Sequence, residues 1–276
     1  MKKLALIVAI LCGAILIFAT SEFPEWGDPK APANLHVSPH YIKYSVKETG
    51  VPNIVTSVLA DYRGFDTMFE TTVIFCAGLS CFLLLRIFNE QTEEQGVYYR
   101  HMPTGIVIHF KRDDVDIRDR DFELIDSKLV PYDLIIKTVG RIMVPFIQIF
   151  ALYVIAHGDF SPGGGFQGGV ILGASIILLA ITFNLKTAIS KINEKILGVL
   201  SALGVFIYAG IGCLCLLLKG HFLDYGKLAK ILPVGPIKAR ALGMLGVEIG
   251  VGIAVMAVMI IIYINIASEG KHHEGL

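Results

Sequence analysis

Long apolar stretches recur along the chain and are separated by shorter polar segments. A helix needs roughly 20 apolar residues to cross the hydrocarbon layer of a bilayer. We therefore predict an all-α integral membrane protein with six transmembrane helices. The predicted spans cover about residues 3–20, 66–88, 132–156, 166–184, 196–218 and 240–265.

The first apolar stretch is short and follows Lys2 and Lys3. A short apolar segment after positive charges fits either a secretory signal peptide or a signal-anchor helix. Because the sequence retains Met1, we interpret this stretch as a signal-anchor helix.

Two polar segments separate the first three predicted spans. The first is rich in proline, which excludes a regular helix there and favours an ordered surface loop. At 53–60 the pattern becomes apolar again, as in a short interfacial helix or an early start of the second span. In the longer segment, 90–130, apolar and polar residues alternate at 105–110, which predicts a small soluble part with a β-hairpin or a docking strand. We divide the chain accordingly into 1–89, 90–130 and 131–276.

The composition agrees with a membrane protein. Of the 276 residues, 54% are hydrophobic and 17% are charged, whereas a soluble domain carries about 25% charged residues. The formal net charge is zero, which gives no indication of a nucleic-acid partner.

The five cysteines all lie in apolar stretches, without a CxxC pair or a neighbouring histidine. Iron–sulfur and zinc sites need thiolates that converge at short spacing. We therefore predict no metal site and no cofactor in this chain, and we expect any redox centre of its assembly to lie in another polypeptide.

The distribution of lysine and arginine predicts the orientation, because cytoplasmic loops carry an excess of both. With the N-terminus inside, the basic segments 89–130 and 185–195 are also inside, and the turn 157–165, which has no lysine or arginine, is outside. We predict that both termini are cytoplasmic. One outer loop disagrees with this scheme, since it holds Lys219, Lys227, Lys230, Lys238 and Arg240.

Three carboxylates in the predicted spans are candidates for an ion pathway, because an ionisable side chain in the bilayer is costly unless it faces protein or water. Glu248, in the last span, fits an ion ligand, a proton relay or a structural ion pair. Asp66 and Glu70 are four residues apart and share one helix face. Asp66 also fits the start of a helix, where the macrodipole favours an anion. With nearby threonine hydroxyls, Asp66 and Glu70 offer hard oxygen ligands for sodium or a proton relay.

The last span also carries a stripe of small residues, formed by Gly243, Gly246 and Gly250. Such a stripe lets another helix backbone approach closely. Glu248 lies off the stripe, so this helix needs cover on two sides. From this we expect the chain to belong to a larger assembly.

Two cations lie in the third predicted span. Lys137 lies near the beginning of this span, and its long side chain fits one that reaches the inner surface of the membrane. Arg141 lies one turn deeper, beside Pro145, and fits two roles equally well. It is either a structural anchor or the charge partner of an acidic pathway.

The turn 157–169, HGDFSPGGGFQGG, is the most distinctive segment of the chain. It matches GxGxxG, but a nucleotide-binding loop needs a preceding strand and a βαβ unit, and here predicted spans flank the turn on both sides. His157 and Asp159 fit a proton-accessible pair or ordinary loop residues. We predict a tight turn between two spans, in which small residues permit close packing. The residues of this structural turn are Pro162, Gly163, Gly164, Gly165, Gly168 and Gly169.

These segments resemble a known family. The segment 157–183 and the last span, ARALGMLGVEIGVGIAVMAVMIIIY, resemble the B-type component of Mrp-type multi-subunit sodium/proton antiporters, and the likeness covers about residues 131–268. The segment 54–86, with DYRGFDTMFETTVIFCAGL, resembles the C-terminal tail of the large A-type component. A similar module is a separate small polypeptide in membrane-bound hydrogenases and related ferredoxin-driven respiratory complexes. In free-standing antiporters the two modules sit in different chains, so their fusion favours a respiratory relative.

The resemblance implies a membrane subunit of a complex that translocates Na⁺ and H⁺, with the family's acidic positions at Glu70 and Glu248. It implies antiporter-like partner subunits of the A, C and D types. In a respiratory relative, a hydrogenase-like peripheral arm holds the iron–sulfur or nickel–iron centres. We expect a transport subunit rather than an enzyme, because the sequence has no nucleophile elbow, HExxH or phosphate loop. The alternative is a structural scaffold subunit with no ion site of its own.

Overall fold

The structure is a computed structural model that describes residues 2–86, 97–104, 106–110, 121–125, 134–183, 185 and 193–268. The chain divides into two compact units, Met1–Ser45 and Val46–Leu276.

The first unit holds the apolar helix α1 (Lys2–Thr20), a π-helical turn (Ala33–Val37) and the start of α2 (Ser38–Thr49). The prediction that proline excludes a regular helix in this part of the chain is wrong for α2. Pro39 is the second residue of that helix and directly follows the π-helical turn, and such irregular turns are where a helix accommodates a proline.

Within the described residues, five helices of the second unit are long and apolar enough to cross a membrane. They are α4 (Gly64–Arg86), α5 (Leu134–Ala156), α6 (Gly165–Phe183), α7 (Glu194–Leu217) and α8 (Pro236–Ala267). They coincide with five of the six predicted spans and define an α-helical, multi-pass membrane protein. The remaining predicted span corresponds to α1, whose apolar part, Leu6–Thr20, is shorter than these five.

Helix α8 lies at the centre of the second unit and packs against α4, α6 and α7. It is also the most buried of the five helices. On its α7 side Gly250 meets the backbone of Gly204, and Gly246 lies against a side chain of α7. The predicted close approach of another helix to the small-residue stripe is therefore confirmed.

A small antiparallel sheet separates α4 from α5 along the sequence. The strand β1 (Val97–His101) is central and pairs with β2 (Val107–Phe110) and β3 (Phe122–Ile125). The alternating pattern at 105–110 thus predicted β2 correctly. Much of the remaining 90–130 segment lies outside the described residues.

A short helical segment precedes α4 and is separate from it. It begins as α3 (Ile54–Thr56), continues as a π-helix (Ser57–Tyr62) and ends at Arg63. The side chain of Asn53 caps it, because its oxygen accepts a hydrogen bond from the backbone N–H of Val55 at 3.0 Å. The segment ends before α4 begins, so it is not an early start of that span, and its position at the membrane interface stays a prediction.

Two buried tyrosines satisfy carbonyl groups at this interruption. The hydroxyl of Tyr208, in α7, donates to the carbonyl oxygen of Gly64 at 2.8 Å. The hydroxyl of Tyr225 donates to the carbonyl oxygen of Ala60 at 2.9 Å. Burial raises the pKa of the Tyr225 hydroxyl, so this group stays a neutral donor. The bond to Ala60 thus replaces a helical one that the interruption removes, whereas the bond to Gly64 adds a second donor to the first carbonyl of α4.

A bidentate ion pair ties the same segment to the start of α8. The guanidinium of Arg240 donates to both oxygens of the Asp61 carboxylate, at 2.5 and 3.1 Å. The Asp61 side chain is only 5% exposed. This pair also neutralises one cation of the loop that disagreed with the predicted orientation. In the same loop Lys227 lies 3.9 Å from Asp224, and Lys230 donates to the carbonyl oxygen of Leu218.

Candidate functional site

A cavity of about 890 Å³ opens between the short helical segment, α4, α6 and α8. Its lining includes Asp66 and Glu70 from α4 and Glu248 from α8. Gly163, Gly165 and other residues around the start of α6 complete the wall. The structure therefore brings together the three candidate carboxylates and the glycine-rich turn, which are separated widely along the chain.

Glu248 forms the inner end of this cavity. Its side chain is buried, with 9% of its surface exposed. Among the described residues, its Oε2 atom has no hydrogen-bond partner. A buried carboxylate oxygen normally has a partner, because its desolvation is costly. This unpartnered oxygen marks Glu248 as the strongest candidate for a functional group.

The glycine-rich turn forms a cradle for the Glu248 carboxylate. A Cβ atom at Gly158 would lie 2.6 Å from Oε2, and one at Gly164 would lie 3.0 Å from Oε1. A Cβ atom at Gly165 would overlap the backbone carbonyl oxygen of Glu248 itself. The backbone of Gly164 also has φ +135°, which residues with a side chain rarely adopt. The turn therefore needs glycine both for its conformation and for the approach of the carboxylate.

The cover that Glu248 needs comes from within the chain. On the face of α8 opposite the small-residue stripe, Gly252 lies against the backbone of Gly165, and Gly169 lies against Gly252. Helices α6 and α7 together cover both faces of α8. The need for cover on two sides therefore does not by itself require a larger assembly.

Asp159 lies next to Glu248 and interacts with it electrostatically. Burial raises the pKa of the Asp159 carboxyl. Its Oδ1 atom, like Glu248 Oε2, has no hydrogen-bond partner among the described residues. Two acidic groups that the sequence places 89 residues apart thus share one region of the site.

Asn53 and Thr56 hold the turn in place from the short helical segment. The side-chain amide of Asn53 donates to the carbonyl oxygens of Gly158 and Ser161, at 2.8 and 2.9 Å. The Thr56 hydroxyl donates to the same Gly158 oxygen at 2.8 Å and lies beside Glu248. The backbone N–H of Asn53 donates to the carbonyl oxygen of Asp159 at 3.0 Å. These contacts fix the two carboxyl groups relative to the α3 end of the cavity.

Asp66 and Glu70 lie at the outer part of the cavity. Both are exposed on the surface of this chain. Asp66, in the first turn of α4, forms an ion pair with Arg63. Glu70 lies one turn further along, about 9 Å from the start of α4 by helical rise. A carboxylate at that position and exposed on a membrane helix needs cover that the described residues around it do not supply.

The other candidate charges lie away from the Glu248 carboxylate. Arg141 is exposed, and its guanidinium lies 5.9 Å from the centre of the Phe183 ring, at the opposite end of α6 from Gly165. Lys137 is one turn before it. The His157 ring stacks on Tyr153, with ring centres 4.1 Å apart. The structure thus places Asp159 beside Glu248 and His157 on the exposed side of the turn.

The remaining turn residues have packing positions. Pro162 is exposed, and Gly163 lies against the backbone of Val154 in α5. Gly168 lies against Ala151 and Ile155 of the same helix. These contacts join α5 to α6 and support the cradle.

Sequence reasoning missed the neutral residues of the site. Asn53, Thr56 and Tyr208 carry no charge, and each lies in a segment that reads as apolar or as a loop. The available signal was the N-cap pattern of Asn53 before an apolar run. The Tyr208 hydroxyl in a predicted span was a second signal, since a buried hydroxyl needs a partner.

Two family models match the chain. Residues 135–261 match a domain related to the MnhB subunit of a Na⁺/H⁺ antiporter. Residues 2–100 match the MbhE family, the E component of MBH. The chain joins an MbhE-like segment to an MnhB-related domain. Glu248 and the glycine-rich turn belong to the MnhB-related domain, whereas Asn53, Thr56, Asp66 and Glu70 belong to the MbhE-like segment. The cavity therefore forms between the two matched parts.

Curated relatives are named as antiporter subunits. The chain is 27% identical over 142 residues to a probable K⁺/H⁺ antiporter component of type A/B from Rhizobium meliloti, covering 51% of this chain and 13% of that protein. It is 34% identical over 85 residues to the B-type component of the Na⁺/H⁺ antiporter of Bacillus subtilis, covering 28% of this chain and 59% of that protein. The chain thus spans less than two thirds of both proteins. A putative antiporter subunit mnhB2 of Staphylococcus aureus is 28% identical over 138 residues, covering 49% of this chain and 94% of that protein.

Two solved structures share the fold. One is the membrane-bound sulfane sulfur reductase, an archaeal respiratory membrane complex, with a TM-score of 0.50 and 22% identity over 92% of this chain and 97% of that chain. The other is an Mrp complex from Dietzia sp. DQ12-45-1b, with a TM-score of 0.53 and 25% identity. The likeness covers 94% of this chain and 26% of that chain. Both likenesses extend over the MbhE-like segment and the MnhB-related domain together.

Proposed function

We propose that this chain is a membrane subunit of an Mrp-type antiporter-like complex and that it contributes to the translocation of Na⁺ and H⁺. The antiporter names of the relatives support the complex type. The observation that carries the ion-transport role is the shared cavity, because it joins Glu70 to Glu248. Carboxylates that face one cavity can receive and release a cation or a proton in turn.

In this proposal Glu70 and Asp66 form the outer part of the route and Glu248 forms the inner part. The exposed carboxylate of Glu70 admits a cation from a partner subunit or from water. The buried carboxylate of Glu248 then holds it, because the cradle leaves one of its oxygens without another partner. The ion pair between Arg63 and Asp66 neutralises both charges at the edge of this route.

The assembly we propose is the ion-transporting membrane arm of a respiratory complex of the hydrogenase-like or sulfur-reducing type. The fusion of the two modules and the fold shared with the sulfane sulfur reductase support this assignment. Antiporter-like subunits of the A, C and D types are the expected membrane partners. Redox centres belong to the peripheral arm, and both termini of this chain face the cytoplasm.

Charge-neutral replacement of the two carboxylates tests the transport role. We expect Glu248→Gln and Glu70→Gln to abolish sodium-dependent proton movement in inverted membrane vesicles, while the complex still assembles. Asp224→Asn is the matched control, because Asp224 is also an acidic residue but lies outside the cavity. Its transport activity should equal that of the unchanged chain.

A scaffold subunit would give a different result. If the two replacements disrupt assembly, or if transport continues in an intact complex, the chain has no ion site of its own. Purification of the tagged chain in mild detergent, followed by mass spectrometry, tests the assembly. Partners that include iron–sulfur proteins support the respiratory complex, and antiporter subunits alone indicate a free-standing exchanger.

A further inference from the structure

Two buried carboxyl oxygens without hydrogen-bond partners among the described residues occur in one small region, where the glycine-rich turn meets α8. They are Oε2 of Glu248 and Oδ1 of Asp159. The two carboxyl groups interact electrostatically, and the Cβ position of Gly158, the residue before Asp159, lies 2.6 Å from Glu248 Oε2. Among the described residues, neither carboxyl group forms an ion pair with a cationic side chain. The cation in the cavity lining, Arg63, is paired with Asp66, and Arg240 is paired with Asp61.

Two neutral side-chain oxygen atoms lie near the Glu248 carboxylate. One is the Thr56 hydroxyl, which lies beside Glu248, whereas the carbonyl oxygen of Gly158 already accepts hydrogen bonds from Asn53 and Thr56. The side-chain oxygen of Gln167 lies near Gly164, which adjoins the Glu248 carboxylate. Carboxylate, hydroxyl and amide oxygens are ligands that hard cations prefer.

We infer that Glu248 and Asp159, with the neutral oxygens around them, form a binding site for one hard monovalent cation of the sodium type. A monovalent ion fits better than a divalent one, because the described residues contain no cluster of three or more acidic, histidine or cysteine side chains. Calcium sites draw on six to eight oxygen ligands, and magnesium sites need near-octahedral geometry. The missing side chains of Gly158 and Gly164 keep the site open, since a Cβ atom at either position would crowd the Glu248 carboxylate.

This inference rests on the proposed function and deepens it, because it names the point in the cavity where the transported cation is held. It also adds a ligand, Asp159, that comes from the turn rather than from a membrane span. Binding at this point is measurable without transport, so the two proposals can fail separately.

The first experiment measures equilibrium binding of radioactive sodium to the purified, intact complex, with choline chloride holding the ionic strength constant. We expect saturable binding by the unchanged complex and at least a tenfold loss of affinity in both Glu248→Gln and Asp159→Asn. The control Asp224→Asn should bind as the unchanged complex does. Unchanged sodium affinity in both site variants, or no saturable binding by the unchanged complex, would overturn the inference.

Glu70→Gln separates this site from the transport route. Glu70 lines the outer part of the cavity, so its replacement should stop transport but leave sodium affinity within about twofold of the unchanged complex. If Glu70→Gln removes binding as completely as Glu248→Gln does, the site does not lie where we place it. Lost transport together with retained binding in Glu248→Gln would contradict the inference and leave the proposed function standing.

A second measurement needs no substitution. A hydrophobic carbodiimide modifies carboxyl groups in membrane proteins, and peptide mass spectrometry assigns the modified residue. We expect sodium, but not choline, to slow modification of Glu248 and Asp159 in the unchanged complex. The rate at Glu70 should change little. Equal rates at Glu248 with and without sodium would contradict a shared cation.

Discussion

At the scale of single residues, the site depends as much on missing side chains as on the carboxylates. Glu248 lies on a membrane helix, yet the turn that precedes α6 reaches it because three glycines present only backbone. Any Cβ atom there would displace either the carboxylate or the α8 backbone. The unusual composition of the turn thus has a direct packing reason.

Gly165 offers the sharpest test of this packing. A Cβ atom at this position would overlap the Glu248 carbonyl oxygen, so Gly165→Ala must separate α6 from α8. We expect a loss of about 1–3 kcal/mol in stability, as for other overpacked sites. Thermal unfolding of the purified complex measures it.

Gly198→Ala is the matched control for Gly165→Ala. Gly198 is also a helical glycine, but a Cβ atom there would meet nothing within 4 Å. Its replacement should leave stability unchanged or raise it slightly, since alanine favours a helix by up to about 1 kcal/mol. Equal effects of the two substitutions would show that the close approach at Gly165 does not exist.

The buried hydroxyl of Tyr208 leads to a second prediction. Tyr208→Phe removes the hydrogen bond to the Gly64 carbonyl oxygen, which keeps its partner within α4, so we expect a loss of about 0.5–1.5 kcal/mol in stability. Chemical or thermal unfolding of the complex tests the loss. Tyr153→Phe serves as the control, because Tyr153 is half exposed and its ring contact with His157 remains possible. A neutral Tyr208→Phe would show that this hydrogen bond does not contribute to stability.

At the scale of elements, the interruption between the π-helix and α4 creates the wall of the cavity. The short segment before the interruption contacts the glycine-rich turn through Asn53 and Thr56. Tyr208, Tyr225 and the Asp61–Arg240 pair stabilise the interruption from different elements. The short segment is therefore part of the site rather than a linker.

The Asp61–Arg240 pair should couple the short segment to α8. Asp61→Asn and Arg240→Gln should each destabilise the complex, because each leaves the partner charge partly buried and unpaired. The double variant should lose less than the sum of the two, with a coupling of about 0.5–3 kcal/mol. A double-mutant cycle on unfolding free energies measures this value. Strict additivity would show that the pair contributes no mutual stabilisation.

At the scale of the whole molecule, one exposed part of the membrane helices is too polar for contact with lipid. Most exposed residues of α4 to α7 are apolar, as lipid contact requires, but Glu70 is exposed beside Phe69 and Val73. Because a carboxylate in contact with lipid is costly, this face of α4 is expected to meet another polypeptide of the complex.

Chemical labelling tests the cover over α4. In the variant Phe69→Cys, a lipid-soluble maleimide should label position 69 slowly in the intact complex and quickly once detergent has dissociated the subunits. Peptide mass spectrometry separates this label from that on the native cysteines. The dissociated chain is the internal control. Equally fast labelling before and after dissociation would mean that lipid, not protein, faces Glu70.

The sequence by itself determined the apolar helices, the strand β2 and the carboxylates worth testing. These features follow from local composition, since about 20 apolar residues define a span and a period of two defines a strand. Only the tertiary structure decided which groups meet. Asp61 and Arg240 are 179 residues apart, and Asp159 reaches Glu248 through the packing of α6 on α8. Such contacts depend on which helix faces meet and where a helix is interrupted, and neither is encoded in any one segment.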